Sequence, residues 1–285
     1  MPTIPHLRRS RIEKVITDAA GSEQDFDQAA AALNAVKIAI TVGDAQLRSA
    51  AGQAAVLTIV TTAMKCFGRA ELVCSGDAPL IRRLLFGSTL VQAARTTGAE
   101  VVTEVSSDVS HVIAVGADGP VDPFLRCWWD GWHAGIRPAW ENDAAGDSGN
   151  PFSGVFAGGL AVREVFANAI GRQRSVSRST TINLWQPWTR KVEYAPLTLS
   201  LPQKLWLVGL GHLGQGFLWS LSQLPVEDRH AILQDDQWVG EENVATGLVT
   251  LGADVHAKNR KARVAARWVE AAGWTSSNVE CRNYG

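Results

Sequence analysis

The stretch at residues 204–224, KLWLVGLGHLGQGFLWSLSQL, decides the fold class. An apolar run, KLWLV, is followed by Gly209-Leu210-Gly211-His212-Leu213-Gly214 and then by a helical pattern. Strand, glycine turn and helix in this order form the signature of a nucleotide-binding Rossmann unit. Gly209 permits the tight turn. Gly211 lacks the Cβ that would hold backbone away from a phosphate, and Gly214 lets helix and strand pack closely. The helix start adds free N–H groups and a partial positive charge, so the segment reads as a phosphate cradle. A second strand, at 231–233, leads into Gln234-Asp235-Asp236. Asp235 stands 26 positions after Gly209, where an acid binds ribose hydroxyls. That placement suits NAD and ATP equally.

Outside this segment, helices are expected over 29–40, 52–66, 79–97 (with Gly98 as C-cap) and 152–170. Strands are expected over 71–74, 101–105 and 111–115, the last followed by a GADGP turn. Strands alternating with helices argue for a parallel layer. The expected fold is α/β: a Rossmann-like parallel sheet with helices on both faces, in two α/β units. Residues 1–171 form an N-terminal α/β domain. Residues 172–203 are a linker and extended segment opened by RQRSVSRS, and 204–285 are the nucleotide-binding domain, left incomplete after a third strand, VECRNY. Trp128, Trp129, Trp132 and Trp140 cluster in CWWDGWHAGIRPAW, which reads as packing of a strand and loop onto the core.

The 285 residues carry 27 Lys plus Arg against 28 Asp plus Glu, a net charge of −1. Such a chain has no global field for a phosphate backbone or an anionic bilayer, so neither nucleic acid nor membrane is expected as a partner. With 46% hydrophobic residues it has the material for a core. The longest apolar run, near 54–64, falls short of the ~20 residues a membrane span needs. The N-terminus lacks the apolar region of a secretory signal. Cys66, Cys74, Cys127 and Cys281 show no C-x-x-C spacing, and no metal-ligating set is evident. A cytoplasmic protein is the expectation.

The stretch after the second strand, QDDQWVGEENVATGLVTLGADVHAKNRKARVAARW, resembles the ThiF/MoeB-like, ubiquitin-activating-type adenylyltransferase family, with the resemblance covering roughly residues 205–284. Asp235 matches the first acid of the family's D-x-D-x-V pattern, Val239 its Val, and Asn243 the Asn four residues later. Asp254-Val255 falls where the family has D-V-G, and Lys261-Ala262 opens the next helix. The resemblance implies an enzyme that uses ATP and Mg2+ to adenylate the C-terminus of a ubiquitin-like or sulfur-carrier protein. It implies Asn243 and Lys261 as catalytic residues, and Gly209, Gly211, Gly214 and Asp235 as the nucleotide site. Departures are Gln237 for the second Asp, Thr246-Gly247 for Arg-Gln, His256 for Gly, and two extra residues before Lys261. Lys258 and Arg260 are the nearby cations to replace the lost Arg. Nothing before Gly285 matches the family's magnesium-binding Asp or catalytic Cys, and Cys281 reads as a small core residue. The first 170 residues resemble an inactive adenylation-like half that would lend the site an arginine, and a homodimer is a further expectation. An NAD(P)-dependent oxidoreductase explains the glycines and Asp235 but not Asn243 or the 254–261 region. A non-catalytic adenylation-fold scaffold would explain the missing Arg.

Overall fold

The computed structural model describes residues 6–19, 26–116, 122–172, 176–189 and 199–281. Most of the GADGP turn, the middle of the RQRSVSRS linker, part of the extended 180–202 stretch and the end of VECRNY lie outside the described residues. The described residues gather into two compact units, one drawn from those within 13–81 and 86–189, the other from 6–12, 82–85 and 199–281. No helix among the described residues is long and apolar enough to cross a membrane.

The chain begins with helices α1 (His6–Ala19) and α2 (Phe26–Asn34), strand β1 (Ile38–Val42), the short α3 (Asp44–Leu47) and α4 (Ala50–Cys66). Strand β2 (Ala70–Val73), the ribbon β3 (Pro79–Leu84) and β4 (Gly87–Thr89), α5 (Leu90–Thr97), β5 (Glu100–Val102) and β6 (His111–Val115) come next. The hairpin β7 (Leu125–Asp130) and β8 (His133–Pro138), α6 (Pro151–Ala169) and β9 (Thr180–Asn183) complete this part. Seven strands form one sheet in the order β5-β2-β1-β6-β7-β8-β9. The first five run parallel, while β8 and β9 are antiparallel to their neighbours, so the α/β sheet is mixed. α4 is buried along most of its length and packs on α6, where a Cβ at Gly154 would fall 1.9 Å from the Ala51 carbonyl oxygen. Small residues are therefore required at that crossing.

Two sequence expectations change here. The helix expected over 29–40 ends at Asn34, and Ile38–Val42 is an interior strand of the sheet, between β2 and β6. The run IAITV has four β-branched residues of five and is almost wholly buried, as a strand covered on both faces requires. The helix expected over 79–97 is helical only from Leu90; before it the exposure of Pro79–Leu84 alternates with the period of a strand. Its C-cap is Gly98 as expected, at φ 101°. Trp129 is fully buried on β7 and donates to Ser148 Oγ at 2.9 Å, whereas Trp140 is exposed.

The second unit is built from β10 (Lys204–Val208), α7 (His212–Ser222), β11 (His230–Gln234), α8 (Glu241–Thr246), α9 (Gly252–His256), α10 (Lys261–Ala271) and β12 (Thr275–Val279). Its three strands are parallel in the order β10-β11-β12, which is one half of a doubly wound sheet. α7 and α10 meet through Trp219 and Trp268, stacked at 5.6 Å, and the Trp268 indole donates to Ser222 Oγ at 3.0 Å. The third strand begins earlier than VECRNY, directly after the turn at Gly273 (φ 89°). Cys281 consequently lies past the strand and is exposed rather than a core residue.

Candidate functional site

The glycine turn joins β10 to α7 and closes against the end of β11. The Gly209 N–H donates to the Gln234 carbonyl at 2.9 Å, and the Leu210 N–H donates to Asp235 Oδ2 at 2.7 Å. Gly209 has φ 81°, a left-handed conformation that a side chain would strain. A Cβ at Gly214 would lie 2.1 Å from the Gly209 carbonyl oxygen, so only glycine lets α7 start this close to the turn. Gly211 differs from both. It occupies the N-cap of α7 in extended backbone, and a Cβ there would meet nothing within 4 Å. No side chain caps α7, so open space lies before a helix start whose first N–H groups have no helical partner.

Asp235 is turned onto this loop. Besides Leu210 it accepts the Gln237 N–H at 2.9 Å through Oδ1, so both oxygens brace the glycine turn and the end of β11. The segment after it is paired with the start of α10. Val239 N–H donates to the Asn259 carbonyl at 2.9 Å and Lys261 N–H to the Gln237 carbonyl at 3.0 Å. This clasp sets Lys261, the first residue of α10, beside the strand end. Its Nζ donates to Gln237 Oε1 at 2.7 Å, and the residue is 8% exposed. Among the described residues no carboxylate forms an ion pair with it. Lys261 lines a pocket of 660 Å³ together with Asp236, Trp238, Glu242 and Arg11, and Arg11 pairs with Glu242 at 3.4 Å.

Asn243 is not on the wall of that pocket. It is buried in the first turn of α8, where Oδ1 accepts the Gly240 N–H at 2.9 Å. Asp254 acts similarly at α9, accepting from Leu251 N–H and Asn259 Nδ2, each at 2.9 Å, and pairing with Arg267. Thr246 keeps its hydroxyl on the Glu242 carbonyl at 2.8 Å. Of the two cations near the missing Arg, Lys258 is exposed at φ 49°, outside the pocket lining. Arg260 is anchored by the Asp236 carbonyl at 2.6 Å and by Glu280 at 3.4 Å. Asp235 thus contacts the glycine turn through the Leu210 N–H, Lys261 is tied to the same strand end through Gln237, and Asn243 stands apart as a capping residue.

Sequence reasoning passed over Gln215. It is 2% exposed, donates to Thr250 Oγ1 at 2.8 Å and to the Leu210 carbonyl at 3.3 Å, and accepts the Val249 N–H at 3.0 Å. It ties the glycine turn to the loop between α8 and α9. The available signal was a glutamine directly after Gly214, on the side of α7 that must be buried. Among the described residues no group of three or more His, Cys, Asp and Glu is placed to hold a metal ion.

The second unit is thus a parallel α/β layer whose glycine turn is braced by Asp235 and whose buried Lys261 is joined to the same strand end through Gln237. The BilD N-terminal domain model matches residues 37–184 and the BilD C-terminal domain model matches residues 201–284. The chain belongs to the BilD family. A curated relative, the bacterial E1-like protein BilD of Collimonas sp. (strain OK412), is 30% identical over 294 residues. The match takes in 99% of this chain and 63% of the relative, so the chain spans less than two thirds of that protein's length. These matches correct the family expected from the sequence. They are to BilD domains over both parts of the chain, not to the ThiF/MoeB-like family over the C-terminal part.

Proposed function

We propose that this chain is the nucleotide-handling portion of an E1-like activating enzyme, which uses ATP to adenylate the C-terminal carboxylate of a ubiquitin-like or sulfur-carrier protein. The observation that carries this reading is the setting of Lys261. Its ammonium is buried at a helix N-terminus, where the macrodipole disfavours a cation, and its acceptor is the neutral amide of Gln237 at 2.7 Å. An anion would relieve that setting, and the open space before Gly211 offers a place for phosphate.

In adenylation a carboxylate oxygen forms a bond to the α-phosphorus. The bond from that phosphorus to the bridging oxygen of the β-phosphate breaks, and pyrophosphate leaves with the electron pair. No proton need be moved, so the protein's share is positioning and charge stabilisation. The first-turn amides of α7 would hold phosphate oxygens, and Lys261 and Arg11 would stabilise the charge growing on the leaving group. Magnesium bound to the triphosphate would add further neutralisation. Binding calorimetry tests the reading: ATP with magnesium is expected to bind and NAD to bind far more weakly. Micromolar binding of NAD with no binding of ATP would overturn it.

A further inference from the structure

We propose that Trp238, backed by Arg260, is the platform on which the base of the bound nucleotide stacks. The inference rests on the nucleotide reading above and adds a base subsite to it. Trp219, Trp268 and Trp274 of the same unit are buried, at 0%, 2% and 5% exposure, while Trp206 and Trp238 are exposed at 57% and 56%; of these two, Trp238 lines the pocket that holds Lys261. An indole exposed on a pocket wall presents a flat apolar face on which a ligand can stack.

The ring is also held in place before any ligand arrives. The Arg260 guanidinium lies 4.2 Å from the ring centroid. That guanidinium is fixed in turn by the Asp236 carbonyl and Glu280. The backbones of Trp238 and Arg260 form an antiparallel bridge flanked by the two main-chain bonds of the clasp. A ring immobilised this way loses little freedom on binding. Position agrees with the role. Trp238 stands three residues after Asp235 on the turn leaving β11, and in a Rossmann unit the ribose sits at that strand end with the base beyond it. The pocket, at 660 Å³, lies in the range of small-molecule sites, about 300–1,000 Å³.

The test compares ATP with inorganic tripolyphosphate, which has the phosphates and no base. Trp238→Ala should weaken ATP binding roughly 5- to 150-fold, the range for losing one aromatic–base stack, and leave tripolyphosphate affinity unchanged. Trp238→Phe should recover most of the loss, which a damaged fold would not allow. Equal ATP affinity in wild type and Trp238→Ala would overturn the platform while leaving the nucleotide reading intact. So would parallel losses of ATP and tripolyphosphate, which would make the Trp238–Arg260 pair a clasp only. Failure of the wild-type chain to bind ATP would overturn both readings.

Discussion

Gly211→Val separates the glycine turn as a ligand site from the glycine turn as a packing device. At Gly211 the backbone is extended (φ −70°, ψ −161°), so an L residue fits, and a Cβ meets nothing within 4 Å. The fold should lose only the poorer capping of valine relative to glycine, roughly 1 kcal/mol. The ligand should suffer more. A branched side chain in the open space before α7 keeps a phosphate from its amides, and a hydrogen bond to a charged group is worth about 1.5–3 kcal/mol, or roughly 10- to 150-fold in Kd per bond. Gly214→Ala is the contrasting control. Its Cβ would sit 2.1 Å from the Gly209 carbonyl, so the helix must shift, at a cost of about 1–3 kcal/mol in stability. Urea unfolding and ATP calorimetry on both variants provide the two readouts. Gly211→Val that is folded, as stable as expected and binding ATP with wild-type affinity would refute the argument.

Lys261→Met should leave the unfolding midpoint unchanged or raise it, because it removes a buried cation that has only a neutral acceptor, while ATP affinity falls roughly 10- to 150-fold. A destabilised variant with intact ATP binding would show that the lysine is structural. In the first unit, Lys37 is buried against Glu71 at 2.9 Å, Asp108 at 2.9 Å and Glu100 at 3.4 Å, and Glu71 is itself fully buried. Glu71→Gln should cost about 3 kcal/mol, the low end for breaking a buried pair, because the exposed Asp108 and Glu100 still face the lysine; an unchanged urea midpoint would contradict this. Burial would raise the Glu71 carboxyl, but the Ser106 N–H and Lys37 outweigh it and hold it below the usual range. A depressed carboxyl contributes stability at neutral pH that is lost as pH falls through its folded value, so acid unfolding should set in below about pH 4 and be shallower in Glu71→Gln. Burial would lower Lys37, but Asp108, Glu71 and Glu100 raise it overall, so its share is lost only when pH rises past the lysine range.

The second unit was largely legible from its sequence because each level agreed. KLWLV, the glycines and an apolar-periodic helix each specify their own element, and β10, α7, β11 and α10 formed where these signals lay. The first unit was less legible for one main reason. An alanine-rich helix runs within four residues of a buried strand, with no glycine or proline between Asn34 and Ile38 to mark the change. Lys37 added to the ambiguity: a lysine before a strand reads as surface, yet here it is buried because three carboxylates from other segments surround it. Long-range pairing of that kind leaves no local trace. The LIRRLL run likewise suits a helix or a ribbon, and the Gly87 turn resolves it.

At the site, spacing along the chain proved a poor guide to which groups face one another. Asn243 and Asp254 stand at the spacing that suggested chemistry, yet each occupies the third position of a short helix and accepts an N–H from the residue before that helix. That position and bond are what a capping residue requires, so the same pattern satisfies local structure without a ligand. Lys261 is the opposite case. Nothing local requires a lysine at the first position of α10, where the helix dipole opposes it, and Gln237 supplies a neutral acceptor where a second Asp was expected. A carboxylate there would pair with the ammonium; the amide holds it in place without forming an ion pair. The departure at Gln237, which looked like a weakness of the motif, therefore leaves Lys261 hydrogen-bonded at the strand end without an ion pair there, the arrangement that the Lys261→Met variant probes.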